Sequence, residues 1–226
     1  AGGIWKFKTD KLNQTFADGS RYVTGIKNAV GITWNPKTNS LFATDHGRGG
    51  FHNFYPDLYT QKQDGELPAE TLYELKEGDN AGWPKTYYDP LKNKRMLAPE
   101  YGGDGEQTNE EGFINPLVAF PAHLGPNDLL FYTGDMFPDK YKNGAFVAFH
   151  NQSPALKKGF FVAFVPFKDG KPSGDWEIFL DNFAGFDLAH PEDGSLQHRP
   201  CGLAQGPDGA LYVCDDFGGS IFKVTY

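Results

Sequence analysis

The sequence predicts an all-β fold made of repeated sheets, on the basis of three observations. Glycine (28 residues), proline (16) and aromatic residues (15%) are abundant in the 226-residue chain, as is typical of many short strands joined by turns. No stretch shows a sustained apolar period of 3.6 residues, so we expect little helix. A strand–turn–strand pattern also recurs along the chain and is clearest from Arg199 to Tyr226.

That last segment has the composition of a hairpin followed by a third strand. Gly206–Gly209 has the sequence Gly-Pro-Asp-Gly, which favours a tight turn between two strand-like runs. With the proline and aspartate at the turn centre, Leu203 is predicted opposite Tyr212, and Cys201 opposite Cys214. Facing cysteines lie close enough to form a disulfide, and two free thiols is the alternative that the sequence leaves open.

The same pattern appears in earlier copies. Hairpins are predicted at Val30–Gly47 and Gly125–Asp135, and closing strands at Gly2–Phe7, Lys158–Phe167 and Gly218–Val224. The copies are about 80 to 90 residues apart, longer than a common propeller blade, so each blade would carry insertions. We therefore expect roughly three blades of a β-propeller, forming one partial domain over residues 1–226 with a polar insertion at about 89–111.

Charge and hydropathy exclude two classes of protein. The formal net charge of −8 and a pI near 5.2 argue against a nucleic-acid-binding protein, which would present concentrated positive charge. No apolar run is long enough for a membrane span. The chain begins at Ala1 without a signal peptide or initiator methionine, which is typical of a mature or trimmed product.

Polar residues of several loops are candidates for a site. His46 and His52 lie in a glycine-rich loop, but no third ligand has conventional metal spacing, so a solvated loop is favoured. The loop from Gly78 to Pro84 can direct backbone carbonyls at a hard cation, or it is simply a tight turn over a tryptophan. Asp45 and the Asp215–Asp216 pair are expected to cap turns rather than to catalyse a reaction.

An ordered set of motifs carries a family resemblance. GIKNAVGITWNP, LFATDHGR, PAE, EGDNAGWP, PAHLGPNDLLFYTGDMFP, KNGAFVAFH and HRPCGLAQGPDGALYVCDDFGGSIFKVTY occur in this order. The set resembles the C-terminal half of the soluble sugar dehydrogenases that use pyrroloquinoline quinone (PQQ), and the sorbosone and aldose dehydrogenase branch is the most similar. The resemblance implies a six-bladed propeller with PQQ and calcium near its axis.

The resemblance also implies roles for individual residues near PQQ. Lys27 and Asn28 match an Arg-Asn pair near the cofactor, Arg199 matches an arginine that contacts a cofactor carboxylate, and His123 lies in the segment that passes over the quinone. A tricarboxylate cofactor requires cations, and arginine binds carboxylate through two parallel hydrogen bonds. Lys27 retains the charge of the family arginine but lacks this fork.

For calcium, the resemblance implies the carbonyls of Gly78 and Asp79. The catalytic base of the family is a histidine in an early blade that precedes Ala1, so no catalytic residue is assigned to this chain. The resemblance therefore implies a C-terminal part of a sugar dehydrogenase, completed by the N-terminal half as a second polypeptide. A secreted or periplasmic location is expected.

Two other functions remain open at this point. The chain could be a non-catalytic propeller segment that binds a carbohydrate or a protein partner through its aromatic-rich loops. A calcium-dependent hydrolase of propeller fold is the third possibility, but no pairing of a base with a carboxylate supports it.

Overall fold

The computed structural model describes residues 2–226, including only the backbone of Asp193. As predicted, strands dominate and the only α-helices in this range are two short ones, α1 (Phe51–Phe54) and α2 (Gln61–Glu66). The strands are β1 (Gly3–Lys6), β2 (Ser20–Thr24), β3 (Ala29–Asn35), β4 (Ser40–Asp45), β5 (Glu70–Leu75), β6 (Thr86–Asp89), β7 (Lys94–Leu97), β8 (Val118–Phe120), β9 (Pro126–Phe131), β10 (Ala145–Ser153), β11 (Lys158–Val165), β12 (Phe167–Lys168), β13 (Lys171–Pro172), β14 (Glu177–Leu180), β15 (Pro200–Gln205), β16 (Leu211–Asp215) and β17 (Ser220–Val224).

Three antiparallel sheets form the body of the molecule. Sheet I has the strand order β3-β4-β5-β8, sheet II the order β9-β10-β11-β14, and sheet III the order β15-β16-β17. The first strands are neighbours in space, because β3 packs against β9 and β9 against β15. The sheets therefore radiate from a common inner edge, as the blades of a propeller do. Within residues 2–226, two blades have four strands, sheet III has three, and β1 pairs only with β2.

The middle strands of sheet II show why the sequence is apolar without interruption there. In β10, Val147 and Phe149 point into the core shared with sheet I, whereas Phe146 points into the core shared with sheet III. Successive side chains of a strand face opposite sides, and both sides of this sheet are covered. Continuous hydrophobic runs are the expected result.

Apolar residues on the outward faces of β3 in sheet I and β17 in sheet III are not covered in this way, although Ala43 and Tyr73 of sheet I pack against Val23 of β2. On β3, Val30, Ile32 and Trp34 are 41%, 47% and 50% exposed. At the other end, Ile221 of β17 is 69% exposed. Apolar residues at alternating positions of a strand normally face a packed neighbour.

The final hairpin forms around the predicted turn, but its predicted register is wrong by one residue over most of its length. Pro200 lies opposite Asp215 as expected, whereas Leu203 lies opposite Val213 and Gly202 opposite Cys214. A β-bulge between Pro200 and Gly202 absorbs the difference and leaves Cys201 as the extra residue. Both cysteines are free thiols, so the alternative without a disulfide is the one observed.

The middle copy of the repeat is also organised differently from the prediction. Gly125-Pro126 is not a hairpin turn, because Pro126 begins β9, whose partner β10 starts only at Ala145. Lys158–Val165 is the third strand of sheet II, and β14 follows it as the fourth. This sheet is therefore built from four strands, and the proline lies at the first residue of a strand, where its missing N–H is tolerated.

The polar stretch at about 89–111 contributes a strand as well as loops. Its strand β7 pairs with β6, and Met96 joins a separate core with Phe51, Tyr59 and Tyr87. Arg95 on the same strand is only 1% exposed. The sequence pattern indicated a surface loop because charged residues surround these buried positions.

Candidate functional site

Each of the three sheets places a residue pair at the same edge of the molecule. In each sheet, a backbone hydrogen bond joins the end region of the second strand to the start of the first. The donor N–H belongs to a residue near or just after the end of the second strand, and the acceptor carbonyl belongs to the residue just before the first strand. The three bonds are His46 to Asn28 (3.2 Å), His150 to Gly125 (2.9 Å) and Asp216 to Arg199 (3.4 Å). We call this edge the rim, defined by these six residues. Because β3, β9 and β15 are adjacent, the rim brings side chains of three sheets together.

A charged network links sheets II and III at the rim. The Arg199 guanidinium donates from Nε (2.8 Å) and Nη2 (3.1 Å) to the two carboxylate oxygens of Asp216. His150 Nε2 lies 3.0 Å from Asp216 Oδ2. The arginine hydrogen bonds, followed by that of His150, lower the pKa of Asp216 against the opposing effect of desolvation. Asp216 is therefore an anion held between a fixed cation and an imidazole.

Asp215 holds the chain that precedes β15. Its Oδ1 accepts the backbone N–H groups of Arg199, Phe217 and Gly218 at 2.9 to 3.0 Å, and Oδ2 lies 2.6 Å from His198 Nδ1. Burial alone would raise the pKa of Asp215, but these hydrogen bonds lower it to about 2. The expectation that this residue caps a turn is thus met, and its capping positions Arg199.

The equivalent aspartate of sheet I is buried and holds Lys27 and Asn28. Asp45 accepts their backbone N–H groups at 3.2 and 2.6 Å. Only 8% of Asp45 is exposed, and burial raises its pKa to about 6 despite these bonds. The Lys27 ammonium donates to the Gly47 carbonyl (3.2 Å) and lies 6.0 Å from the centre of the Trp83 ring.

A second buried carboxylate, Glu70, ties two rim loops together. It is 4% exposed and accepts the Gly47 N–H at 2.8 Å. Burial is the main cause that raises its pKa to about 7, the charge of Asp45 adds to the shift, and the N–H groups of Gly47 and Gly125 oppose it. Sequence analysis quoted Glu70 as part of the PAE motif but assigned it no role, because a glutamate at the start of a strand does not by itself indicate a buried carboxylate.

His123 lies close to the Gly49 part of the glycine-rich loop. Its Nε2 is 2.6 Å from the Asp64 carbonyl, and its φ is 68°. A Cβ built on Gly49 would lie 3.4 Å from the His123 ring. The imidazole is thus half-buried against the loop that follows His46.

Gly78 and Asp79 are not brought to the rim. They follow the Leu75 end of β5, which pairs with Leu41, whereas the rim lies at the Asp45 end, which pairs with Thr71. The Asp79 carbonyl already accepts from the Thr24 N–H (2.9 Å) and hydroxyl (3.3 Å). These two donors occupy the Asp79 carbonyl oxygen, which a calcium ion would need as a ligand.

No other cluster in the described range replaces that pair. Within residues 2–226, no group of three His, Cys, Asp or Glu side chains is arranged to hold a metal ion. No helix of the same range is long and apolar enough to cross a membrane. For an anionic cofactor the fit is better, because Arg199 of the rim and Lys27, which precedes the rim residue Asn28, are both cations. The lysine also has two N–H donors beyond its bond to Gly47.

Comparison with known proteins assigns the chain to a family. Residues 4–226 match the TrAA12-like family. The chain belongs to the TrAA12-like family. The match covers nearly the entire chain, including sheets I to III and the rim.

Individual relatives of this TrAA12-like chain are distant. A PQQ-dependent sugar dehydrogenase of Hypocrea jecorina is 22% identical over 226 residues, covering 92% of this chain and 49% of that protein. An uncharacterised protein of Borreliella burgdorferi is 28% identical over 206 residues, covering 89% of this chain and 48% of that protein. The chain thus spans about half the length of the curated relatives it matches.

Solved structures agree on the β-propeller fold. The calcium structure of a Trichoderma reesei enzyme of carbohydrate-active family AA12 superposes with a TM-score of 0.72 at 20% identity, covering 95% of this chain and 56% of that one. The PQQ-bound aldose sugar dehydrogenase of Streptomyces coelicolor gives a TM-score of 0.56 at 18% identity, covering 98% and 51%. At these identities the likeness supports the fold alone.

The rim contains residues that sequence reasoning did not assign to a site. His150 and Asp216 connect to the expected Arg199, yet neither was a candidate ligand. Aligning the middle copy on its true first strand, β9, would have placed His150 beside His46 and Asp216 in the repeat. The repeat alignment of His150 could therefore be found from the sequence, but the Gly125-Pro126 dipeptide was interpreted as a turn.

Proposed function

We propose that this chain is the C-terminal part of a sugar dehydrogenase that uses PQQ, in the sorbosone and aldose dehydrogenase branch. The observation that supports it best is that Lys27 and Arg199 lie just before the first strands of sheets I and III, which both pack against the first strand of sheet II, in a chain of the TrAA12-like family. Two cations are suited to a cofactor that carries three carboxylates. When bound, PQQ supplies the hydride acceptor for oxidation of the sugar.

Within that proposal, the residues of this chain bind and orient. Lys27 and Arg199 hold cofactor carboxylates, Asn28 supplies an exposed amide beside them, and His123 faces the same region. Asp45 and Asp215 fix the backbone that carries these residues. The base that removes the substrate proton belongs to the N-terminal half.

Calcium enters the proposal only through the relatives. The AA12 structure of T. reesei is named for calcium, and the family resemblance includes the ion. Because the Asp79 carbonyl accepts two protein donors, no residue of this chain is assigned as its ligand.

The proposed partner is the N-terminal half of the same propeller, as a second polypeptide. Exposed apolar residues on β3 of sheet I and on β17 of sheet III support it, and so does the match to half the length of the relatives. A three-stranded sheet III also leaves one edge of β17 unpaired within residues 2–226. We place the completed enzyme in a secreted or periplasmic setting.

A native mass spectrum of the untreated sample tests the partner. A mass above 25.1 kDa by a second polypeptide, separated by denaturation, is expected. A bare chain of 25.1 kDa under native conditions would contradict the two-chain assembly.

A PQQ titration of the assembled protein tests the site separately. Arg199→Ala is expected to weaken PQQ binding by about 1.5 to 3 kcal/mol, the range for a charge-assisted hydrogen bond. Arg21→Ala is the matched control, since Arg21 is exposed on β2 and stacks on Trp5. Equal affinities of wild type and Arg199→Ala would remove Arg199 from the site.

One observation favours a second candidate, a non-catalytic segment that binds carbohydrate or a protein. Two donor atoms of Arg199 already bind Asp216, so the network is satisfied without a cofactor. Sugar binding that is retained without PQQ and without any turnover in the assembled protein would support this alternative.

A further inference from the structure

Arg95 is a buried cation in the strand pair β6–β7. It is 1% exposed, and its guanidinium donates to Thr86 Oγ1 (3.1 Å), Tyr73 OH (3.3 Å) and the Ile114 carbonyl (2.5 Å). All three acceptors are neutral. Its Nε is buried without any hydrogen-bond partner.

The positive charge of Arg95 has no direct counter-ion in the protein. Among the described side chains of residues 2–226, Arg95 forms no ion pair with a carboxylate, and Asp45 acts on it only through a longer-range charge interaction. A buried charge without a partner is unfavourable by several kcal/mol. Some further group must therefore compensate it.

A cavity of about 40 Å³ lies beside Arg95 and continues beneath the rim. Its charged side chains are Arg95, Lys27, Asp45 and Arg48, and its polar lining also includes His46 and several threonine and tyrosine side chains. Four buried side-chain atoms of the described range lack a partner, and two of them, Arg95 Nε and His46 Nε2, belong to this lining. Two of the four unsatisfied polar atoms thus belong to residues that line one cavity.

The charge balance of this lining favours an anion. Arg48 is already paired with Glu100, whereas the Lys27 ammonium contacts only a carbonyl oxygen among the described residues. The single anionic side chain, Asp45, has both of its oxygens engaged by backbone N–H groups. Two cations therefore face one carboxylate that is already hydrogen-bonded.

We propose that this cavity is a binding site for a small monoanion, a halide or a carboxylate-sized ion, held by Arg95 and Lys27. A space of about 40 Å³ exceeds the roughly 10 to 15 Å³ that one water requires, so an ion of one to three heavy atoms fits. Arg95 Nε–H is the unused donor for it, and Lys27 supplies a mobile ammonium from the rim side. Arg199 does not line this cavity, whereas Lys27 is shared with the proposed cofactor site, so the tests use the protein without PQQ.

Anomalous diffraction gives the direct test. Crystals soaked in sodium bromide are expected to show an anomalous peak in the cavity, within contact distance of Arg95 Nε and Lys27 Nζ. If the site also binds carboxylates, adding sodium formate to the soak is expected to reduce the height of this bromide peak. A bromide peak that formate leaves unchanged assigns the site to halides. A cavity that contains only water overturns the proposal.

Thermal unfolding in solution provides the second readout. At constant ionic strength, bromide replacing the bulky anion gluconate is expected to raise Tm in a saturable way, by about 5 to 10 °C at a hundredfold excess over Kd. An unresponsive Tm overturns the proposal.

Variants connect that response to the residues. Arg95→Met is expected to abolish it, and Arg21→Met to retain it. If Arg95→Met fails to fold, Lys27→Met decides, because Lys27 is half-buried at the rim and its loss is expected to weaken bromide binding at least about tenfold. A bromide response unchanged in Lys27→Met contradicts the assignment.

Discussion

Replacing Glu70 by glutamine is expected to stabilise the chain at alkaline pH and to leave it nearly unchanged at acid pH. Glu70 is buried, and its pKa rises from an ordinary 4.5 to about 7. Protonated glutamic acid and glutamine each present one acceptor oxygen and one donor group. The two side chains are therefore matched while Glu70 is protonated.

The magnitude follows from the two pKa values. The raised pKa means that the folded state binds a proton that the unfolded state releases between pH 4.5 and 7. The contribution of protonated Glu70 to the free energy of unfolding of the wild type is fully present below pH 4.5 and is lost as pH rises through 7. At about 1.4 kcal/mol per pKa unit, the loss reaches about 3 kcal/mol at pH 8.5. Glutamine does not ionise and avoids this loss.

Urea unfolding at pH 4.5, 6, 7 and 8.5 measures the effect. The free energy of unfolding of Glu70→Gln minus that of wild type should grow with pH to about 3 kcal/mol. Glu77→Gln is the matched control, since Glu77 is exposed and paired with Lys6, and its difference should stay within about 1 kcal/mol. A difference that does not change with pH, or one that favours wild type at pH 8.5, would refute the assignment of Glu70 as a buried acid.

Three further predictions concern the rim and its supports. Asp215 has a pKa of about 2, so the stabilisation that its carboxylate gives the folded chain is present above pH 4 and is lost as pH falls through 2. Asp215→Ala should destabilise the folded chain by about 3 kcal/mol at pH 7, because three backbone N–H donors lose their acceptor. Urea unfolding measures this change. Gly82→Ala should destabilise by at least about 2 kcal/mol more than Gly112→Ala, since both have positive φ but a Cβ lies 2.1 Å from the Thr86 hydroxyl only at position 82. Denaturing mass spectrometry should show no mass change on reduction, because Cys201 and Cys214 are free; a gain of about 2 Da would contradict this.

Several elements could be predicted from the sequence because their causes are local. The Gly206–Gly209 turn forms where proline and glycine require it, and Gly209 adopts a φ of 84°. Asp215 was expected to cap a turn, and its carboxylate accepts three backbone N–H groups. Alternation and continuous apolar runs likewise indicated strands, and the radiating all-β sheets are confirmed.

The same local information was insufficient for register and for pairing. A bulge at Cys201 shifts the final hairpin by one residue, because the covering of each sheet face, and not the turn alone, sets the register. Pro126 looked like part of a turn but begins a strand, since the first residue of a strand needs no donor.

Composition and turn chemistry alone determined that this protein is an all-β repeat chain with an acidic surface and little helix. Only the tertiary structure decided which polar residues meet. Glu70 and His150 are distant in sequence from Gly47 and Asp216, and they meet because the radiating sheets bring their ends together. Arg95 of the separate strand pair β6–β7 likewise meets Tyr73 of sheet I only in the folded chain. Charge, burial and hydrogen bonding at that rim depend on neighbours across sheets, which a period along one strand does not encode.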